Sequence, residues 1–298
     1  MLQHLSDTEV LPSRVVVIGA YGFVGKAICT QVAADGVEVL RLGRADVDLL
    51  APESAAALAD VLRPGDVVVA ASAIAPTKNL RMLQDNIVLF STIAEALATR
   101  GGDIAHVLNI SSDAVYGDTP TPLNEMSAMA PGSYHGLMHL SREFHFKATL
   151  SVPLASLRPT LIYGAQDPHN GYGPNKFRRQ AAAGEEIRLF GEGEELRDHV
   201  LVDDVAALAW LILKHRSHGA LNAVTGHVTS FRDIAEMVVS NFDHPVAING
   251  SERIGPMPHN GFRPFENSAC QQAFPTFRFA PIAEGLKRVH DEEFGGTA

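Results

Sequence analysis

Apolar positions along the chain fall into two alternating kinds of segment. Short apolar, β-branched runs read as strands: Val15 to Ile18 and Asp66 to Ala70, the latter as a buried parallel strand, with Glu38 to Leu42 and His106 to Ile110 as further strands. Between them lie longer stretches with apolar residues at helical spacing. These are Phe23 to Asp35, stopped by Gly36, the alanine-rich Pro52 to Leu62, and Asn86 to Arg100, stopped by Gly101-Gly102. Alternation of strand and helix predicts a parallel sheet covered on both faces and joined by right-handed crossovers.

Past Gly164 the pattern loosens. Ala165 to Pro174 is rich in Gly, Pro, Asn and Asp and reads as a loop over a cleft. Asn175 to Ala183 reads as a helix whose Lys176, Arg178 and Arg179 form mainly a solvated face, and Ile187 to Phe190 as a short strand. Val202 to Lys214 is an apolar helix, Ser230 caps a helix to Asn241, and Pro281 to Glu293 is amphipathic. Pro245 to Phe279 is loop-rich with aromatics and is expected to form a pocket wall. The expected fold is α/β, a Rossmann-type doubly wound parallel sheet with a smaller C-terminal lobe. Residues 1–164 would form the dinucleotide-binding domain, 201–225 would return to it, and 165–298 would mainly form the substrate-binding lobe, with the substrate between lobes.

The first strand runs into Gly19-Ala20-Tyr21-Gly22-Phe23-Val24-Gly25, three glycines spaced G-x-x-G-x-x-G at the start of a helix. Gly19 permits the tight turn, Gly22 lets the backbone approach a pyrophosphate, and Gly25 lets helix and strand pack closely. The free N–H groups of the first helical turn then face the phosphates. Where NAD-binding units carry an acidic residue after the second strand, this chain has Leu42-Gly43-Arg44, and an arginine suits the 2′-phosphate of NADP(H). NADP(H) is therefore favoured, with NAD(H) possible. The expected cofactor contacts are Gly19, Gly22, Phe23, Val24, Gly25, Arg44, Asp48, Leu49, Ala70, Ala71, Ser72, Asn86 and Pro159.

A formal charge of −10 argues against a nucleic-acid partner, which would require a basic face, but leaves room for a phosphorylated small molecule held by a few arginines. The two cysteines, Cys29 and Cys270, supply neither a disulfide framework nor a zinc pattern. No apolar stretch is long enough to span a bilayer, and the N-terminal residues do not read as a leader, so a cytoplasmic location is expected.

Ser111-Ser112-Asp113-Ala114-Val115-Tyr116-Gly117 places hydroxyls and a carboxylate at the carboxyl end of a strand, where open α/β sheets bind ligands. With the glycine turn, Leu157-Arg158-Pro159-Thr160-Leu161-Ile162-Tyr163-Gly164, Leu189-Phe190-Gly191-Glu192-Gly193 and Arg197-Asp198-His199-Val200-Leu201-Val202-Asp203-Asp204, the chain resembles the extended short-chain dehydrogenase/reductase family. That family contains nucleotide-sugar epimerases, dehydratases and reductases. The resemblance implies that Ser112 bonds the reacting sugar oxygen and that Asp113 protonates a leaving hydroxyl, a loop-capping role being the alternative for Asp113. It also implies that Asn175 and Phe177 lie near the nucleotide, that Arg197 and Arg263 face a diphosphate unless paired with Asp198 or Glu266, and that the protein is a homodimer.

The family's Tyr-x-x-x-Lys is absent. In the matching frame His135 stands for the tyrosine and His139 for the lysine, while Tyr134 is followed four residues later by Met138. An unperturbed imidazole near pKa 6.5 can act as a base near pH 7 without a neighbouring ammonium. His135 is therefore expected to be the acid/base, with His139 as its orienter or ribose anchor. Two alternatives stay open. The histidines are polar fillers in a catalytically altered NADP(H)-binding sensor, or they are a metal pair that lacks an evident third ligand.

Overall fold

A computed structural model describes residues 1–295. Five strands follow the chain in its first half: β1 (Arg14–Ile18), β2 (Glu38–Leu42), β3 (Val67–Ala70), β4 (His106–Ile110) and β5 (Leu154–Pro159). The helices between them are α1 (Phe23–Ala34), α2 (Ser54–Val61), α3 (Leu80–Arg100) and α4 (Tyr134–Thr149). Beyond these come β6 (Leu161–Tyr163), α5 (Pro174–Ala182), β7 (Ile187–Phe190), β8 (Leu196–Leu201), α6 (Val202–Lys214) and β9 (Gly219–Ala223). The remainder comprises β10 (Val228–Ser230), α7 (Phe231–Val239), β11 (Ile248–Ser251), β12 (Phe262–Arg263), α8 (Ser268–Ala273) and α9 (Ile282–Phe294).

Six strands form one parallel sheet in the order β2-β1-β3-β4-β5-β9. Alternate residues of β1 feed opposite cores, as the strand period requires. Val15 and Val17 pack with Ile28, Val32, Leu208 and Trp210 on the α1/α6 side. Val16 and Ile18 pack with Leu58, Phe90, Ile93 and Phe146 beneath α2, α3 and α4. The strand order reverses direction at β1, so a crevice opens at the carboxyl ends of β1 and β3. Cys29 and Cys270 are free thiols buried in the first of these cores.

The smaller lobe is built around β8, flanked by β10 and β12 and also paired with β6, beside a two-stranded β7/β11 ribbon. Its core is Phe177, Ile187, Leu189, Phe231, Ile234, Val238, Leu286 and Val289. Two sequence expectations are revised. The helix expected from Asn86 starts at Leu80, because the Asn79 side chain caps it by accepting from the Met82 N–H at 3.0 Å. The segment expected to be a pocket wall divides its work. Pro258, His259 and Arg263 border the cleft, whereas Cys270, Phe274, Phe277 and Phe279 pack onto the α1/α6 face of the large sheet. Among the described residues no helix is long and apolar enough to cross a membrane.

Candidate functional site

Gly19 holds φ at +91°, and a Cβ there would lie 2.6 Å from the Ser72 amide nitrogen, so the glycine turn nests against the end of β3. A side chain at Gly25 would meet the Gly19 carbonyl group, so the start of α1 lies directly on the turn. The N-terminus of α1 has no side-chain cap and no acidic residue in its first turn, leaving its N–H groups and dipole for an anion. Cavities of about 770 Å³ and 310 Å³ meet at this point and share Gly22, Ala71 and Ala73. Phe23, Val24, Gly25 and Pro159 line the larger one; Gly19, Arg44, Asp48, Leu49 and Ser72 line the smaller. Two chambers on either side of a bare glycine cradle fit a dinucleotide with its pyrophosphate at the turn.

Arg44 is 81% exposed and only loosely paired with Asp48 at 3.4 Å, so its guanidinium is free to turn towards a ribose phosphate. Two expected cofactor contacts lie outside both cavities. Ala70 is buried inside the sheet. Asn86 spends its amide on the loop after β3: it accepts from Ile74 N at 2.9 Å and donates to Ile74 O, Thr77 Oγ1 and Met82 O.

Past β4 the chain makes a short 3₁₀ turn, Asp113–Val115, capped by Ser112 Oγ accepting from Ala114 N at 3.2 Å. Ser133 caps α4 in the same manner, through Gly136 N at 3.1 Å. Gly136 then presses on the Ala114 carbonyl and on Pro131, where a Cβ would sit 2.7 Å from Pro131 Cβ. This close approach seats the first turn of α4 against the Ser112 turn, so that Ser112, Asp113, His135 and His139 line one cavity. The two imidazoles meet edge to face with centroids 4.7 Å apart, and His135 Nδ1 accepts a long bond from Thr77 N at 3.5 Å. Tyr134 lies exposed at the head of α4, away from the cavity.

Burial pulls the His135 pKa below its ordinary 6.5; the charge of Arg142 and the nearby His169 act in the same direction, and Asp113 opposes them. His139 is enclosed and displaced well below 6.5, again by burial first and then by Arg142 and His135. Both rings are therefore neutral at pH 7. Among the described residues, no three His, Cys, Asp or Glu side chains are grouped to hold a metal ion.

Asp113 is tied rather than free. Its Oδ2 accepts from Thr160 Oγ1 at 3.5 Å and Arg263 Nε at 3.4 Å, and Oδ1 accepts from Ser112 at 3.3 Å. Arg263, expected at a diphosphate, is spent on the protein: on Asp113 and Asp118 side chains and on the carbonyls of Asp113 and Tyr116. Its acidic partners are thus remote in sequence, and Glu266 instead meets Asn124. Arg197 makes one ion pair, with Glu195 at 3.2 Å, and its buried Nε–H has no partner. Asp198, its alternative partner, accepts instead from Thr225 and Gly226. Asn175 reaches the cavity edge while bonding Gly164 N and Asp167. Phe177 is 0% exposed and belongs to the small lobe's core, and it lines neither of the two cleft cavities. Arg178 is likewise buried and structural, paired with Glu293 at 2.6 Å.

The sequence reading missed Arg142, which lines the cavity one turn beyond His139, and the buried chain behind it. Glu143 accepts from Arg158 at 2.6 Å and from Ser111 Oγ; Arg158 donates to Tyr116 Oη at 2.7 Å, which donates to Asn222 at 2.7 Å. The available signal was the position of Arg142, three and seven residues past the two histidines on one helix face.

A parallel sheet with a glycine-cradled cleft at its switch point, closed by a second lobe that offers an arginine, defines a nicotinamide-dinucleotide enzyme of the Rossmann class. The comparisons narrow this. The family model described as NAD dependent epimerase/dehydratase matches residues 15–224, and the chain belongs to that family. It is 27% identical over 224 residues to UDP-glucose 4-epimerase of Mycolicibacterium smegmatis, covering 64% of this chain and 70% of that one. It is 27% identical over 260 residues to dTDP-6-deoxy-L-talose 4-dehydrogenase (NAD(P)(+)) of Kitasatospora kifunensis, covering 80% and 81%. The crystal structure of UDP-N-acetylglucosamine 4-epimerase from Bacillus cereus superposes with a TM-score of 0.82 at 20% identity, covering 96% and 97%, a likeness of fold.

Proposed function

We propose that the protein is an NADP(H)-dependent oxidoreductase that interconverts a hydroxyl and a keto group on the sugar of a nucleotide sugar, with His135 handling the proton. The observation that carries this reading is that a neutral imidazole shares one cavity with Ser112, the glycine cradle and an arginine that has an unpartnered donor. A nicotinamide dinucleotide held at the Gly19–Gly25 turn would supply hydride exchange at the sugar carbon. Ser112 Oγ holds the sugar oxygen, and His135 takes the hydroxyl proton when the carbon gives up hydride, or returns it in the opposite direction. Arg197 would fork onto the diphosphate. The two curated relatives carry a nucleoside-diphosphate sugar and carbon 4 in their names, which makes carbon 4 the expected position. Because Asp113 Oδ2 already accepts from Thr160 and Arg263, simple oxidation or reduction is favoured over loss of water.

The exposed Arg44 supports NADP(H) over NAD(H). Calorimetric titration with both cofactors, alone and with UDP-, dTDP- and GDP-sugars, followed by product analysis, tests the whole reading. NADPH should bind at least about tenfold more tightly than NADH, as one charge-assisted contact provides. Cofactor binding without any response to sugar nucleotides would overturn the reading in favour of a cofactor sensor.

The side-by-side helices α3 and α4 expose Ile87, Val88, Leu137 and Phe144, the last 73% exposed, an apolar face suited to a second copy of the chain. Light scattering should therefore return twice the 32.0 kDa chain mass, and Phe144→Asp should return the chain mass. The buried, unpaired Cys29 and Cys270 suit a reducing cytoplasm.

A further inference from the structure

Arg142 is 1% exposed, yet among the described residues no carboxylate oxygen stands within ion-pair distance of it. Its Nη1 donates to Ser72 O at 2.9 Å, and its Nη2 donates to Ile110 O and, at 3.4 Å, towards His139 Nδ1. Its Nε–H has no partner. The adjacent carboxylate, Glu143, is committed to Arg158 and Ser111. Removing a guanidinium from water without a counter-ion is expensive, and such a group persists where a site uses it. This one is held over the carboxyl ends of β3 and β4 by two backbone carbonyls, facing the cavity that holds both histidines. The family resemblance places an ammonium at position 139; here a neutral ring stands at that position and the cation is three residues further on.

We propose that Arg142 is the fixed cation of this site, a positioning residue that locks His139 with its proton on Nε2 and so sets the ring against which His135 works. The chemistry is that of donors and acceptors. A guanidinium can only donate, so the His139 nitrogen facing it must be a bare lone pair, and the ring's one proton lies on the far side. The same charge resists protonation of either imidazole. The charged and titratable groups acting on His135 are Asp113 from the Ser112 turn, Arg142 from α4 and His169 from the loop before α5, while His135 in turn acts on the neighbouring His139 ring. Only Asp113 acts in the opposite direction to the rest.

The assignment gives the proposed acid/base its orientation, and thus rests on that reading for its purpose but not for its test. Side-chain nitrogen NMR of the full, cofactor-free protein should show His139 as the Nε2–H tautomer, not titrating between pH 5 and 8. In Arg142→Gln, His139 should lose that single tautomer and the His135 titration midpoint should move up, while Arg142→Lys should bring the midpoint back towards the wild type. A proton on His139 Nδ1 in the wild type overturns the proposal, and so does an unmoved His135 midpoint in folded Arg142→Gln. If the variants do not fold, the wild-type tautomer decides alone. Absence of sugar turnover beside the expected tautomer would sink the oxidoreductase reading and leave the role of Arg142 standing.

Discussion

His135→Phe is expected to lower kcat by about 10²- to 10⁴-fold, the range that a positioned general acid/base contributes. The affinity for NADP(H) should stay within about threefold, because the phenyl ring keeps an aromatic edge against His139 and the substitution leaves the backbone of the glycine cradle unchanged. The pH dependence gives the assignment a sign. Oxidation of the sugar hydroxyl requires the neutral imidazole, which exists above the group's pKa. Burial lowers that pKa from 6.5, so the oxidation rate should rise at acidic pH and already be level at pH 7. Reduction requires the protonated ring and should quicken as pH falls through the same range. A plateau reached only near pH 9 or 10 would identify a phenol or an amine instead. Tyr134 is the one phenol nearby in sequence, but it is exposed outside the cavity. Turnover of His135→Phe at the wild-type rate would end the assignment.

Much of this fold can be read along the chain because the large sheet is buried on both faces. β2 and β4 have the same bounds in the sequence reading and in the structure, and β1 and β3 differ by one residue at most; for β1 and β3 a near-continuous aliphatic run between breaks has few other solutions. The glycine turn was legible for a related reason: a strand, three glycines and a helix allow one close packing. What escaped was set by contacts remote in sequence. The buried position of Arg142 depends on where β3 and β4 release their carbonyls, and a helical wheel shows only a charged residue near two histidines. The resemblance places Arg263 at a ligand, whereas its partners, Asp113 and Asp118, lie 150 and 145 positions upstream, out of reach of any local pattern. The family resemblance places Phe177 beside a nucleotide, but Tyr172 and Phe231 enclose it with aromatic contacts. Core and cleft both bury such residues, and only the tertiary fold separates them.

The two glycines at the head of α1 should give opposite phenotypes. Gly22 has ordinary dihedral angles, φ −75° and ψ 167°, and a Cβ there would lie 3.3 Å from the Gly19 carbonyl oxygen, a contact relieved by a few tenths of an ångström. Gly22→Ala should therefore change stability by only about 1 kcal/mol or less, the entropic gain of replacing a glycine at a compatible site offsetting the tight contact. The methyl group would instead stand where the pyrophosphate must approach the backbone, so NADPH affinity should drop roughly 10- to 100-fold as a charge-assisted contact lengthens. Gly25→Ala puts its methyl into the Gly19 carbonyl group, a backbone neighbour that cannot rotate away. Overpacking of that kind costs about 3 kcal/mol, which would lower the melting temperature by roughly 6–12 °C in a chain of this size. Calorimetry with and without NADPH separates the two: Gly22→Ala should melt near the wild type and lose the ligand-induced rise, whereas Gly25→Ala should melt early in both conditions. A Gly22→Ala protein stabilised by NADPH as fully as the wild type would place the pyrophosphate somewhere other than the turn.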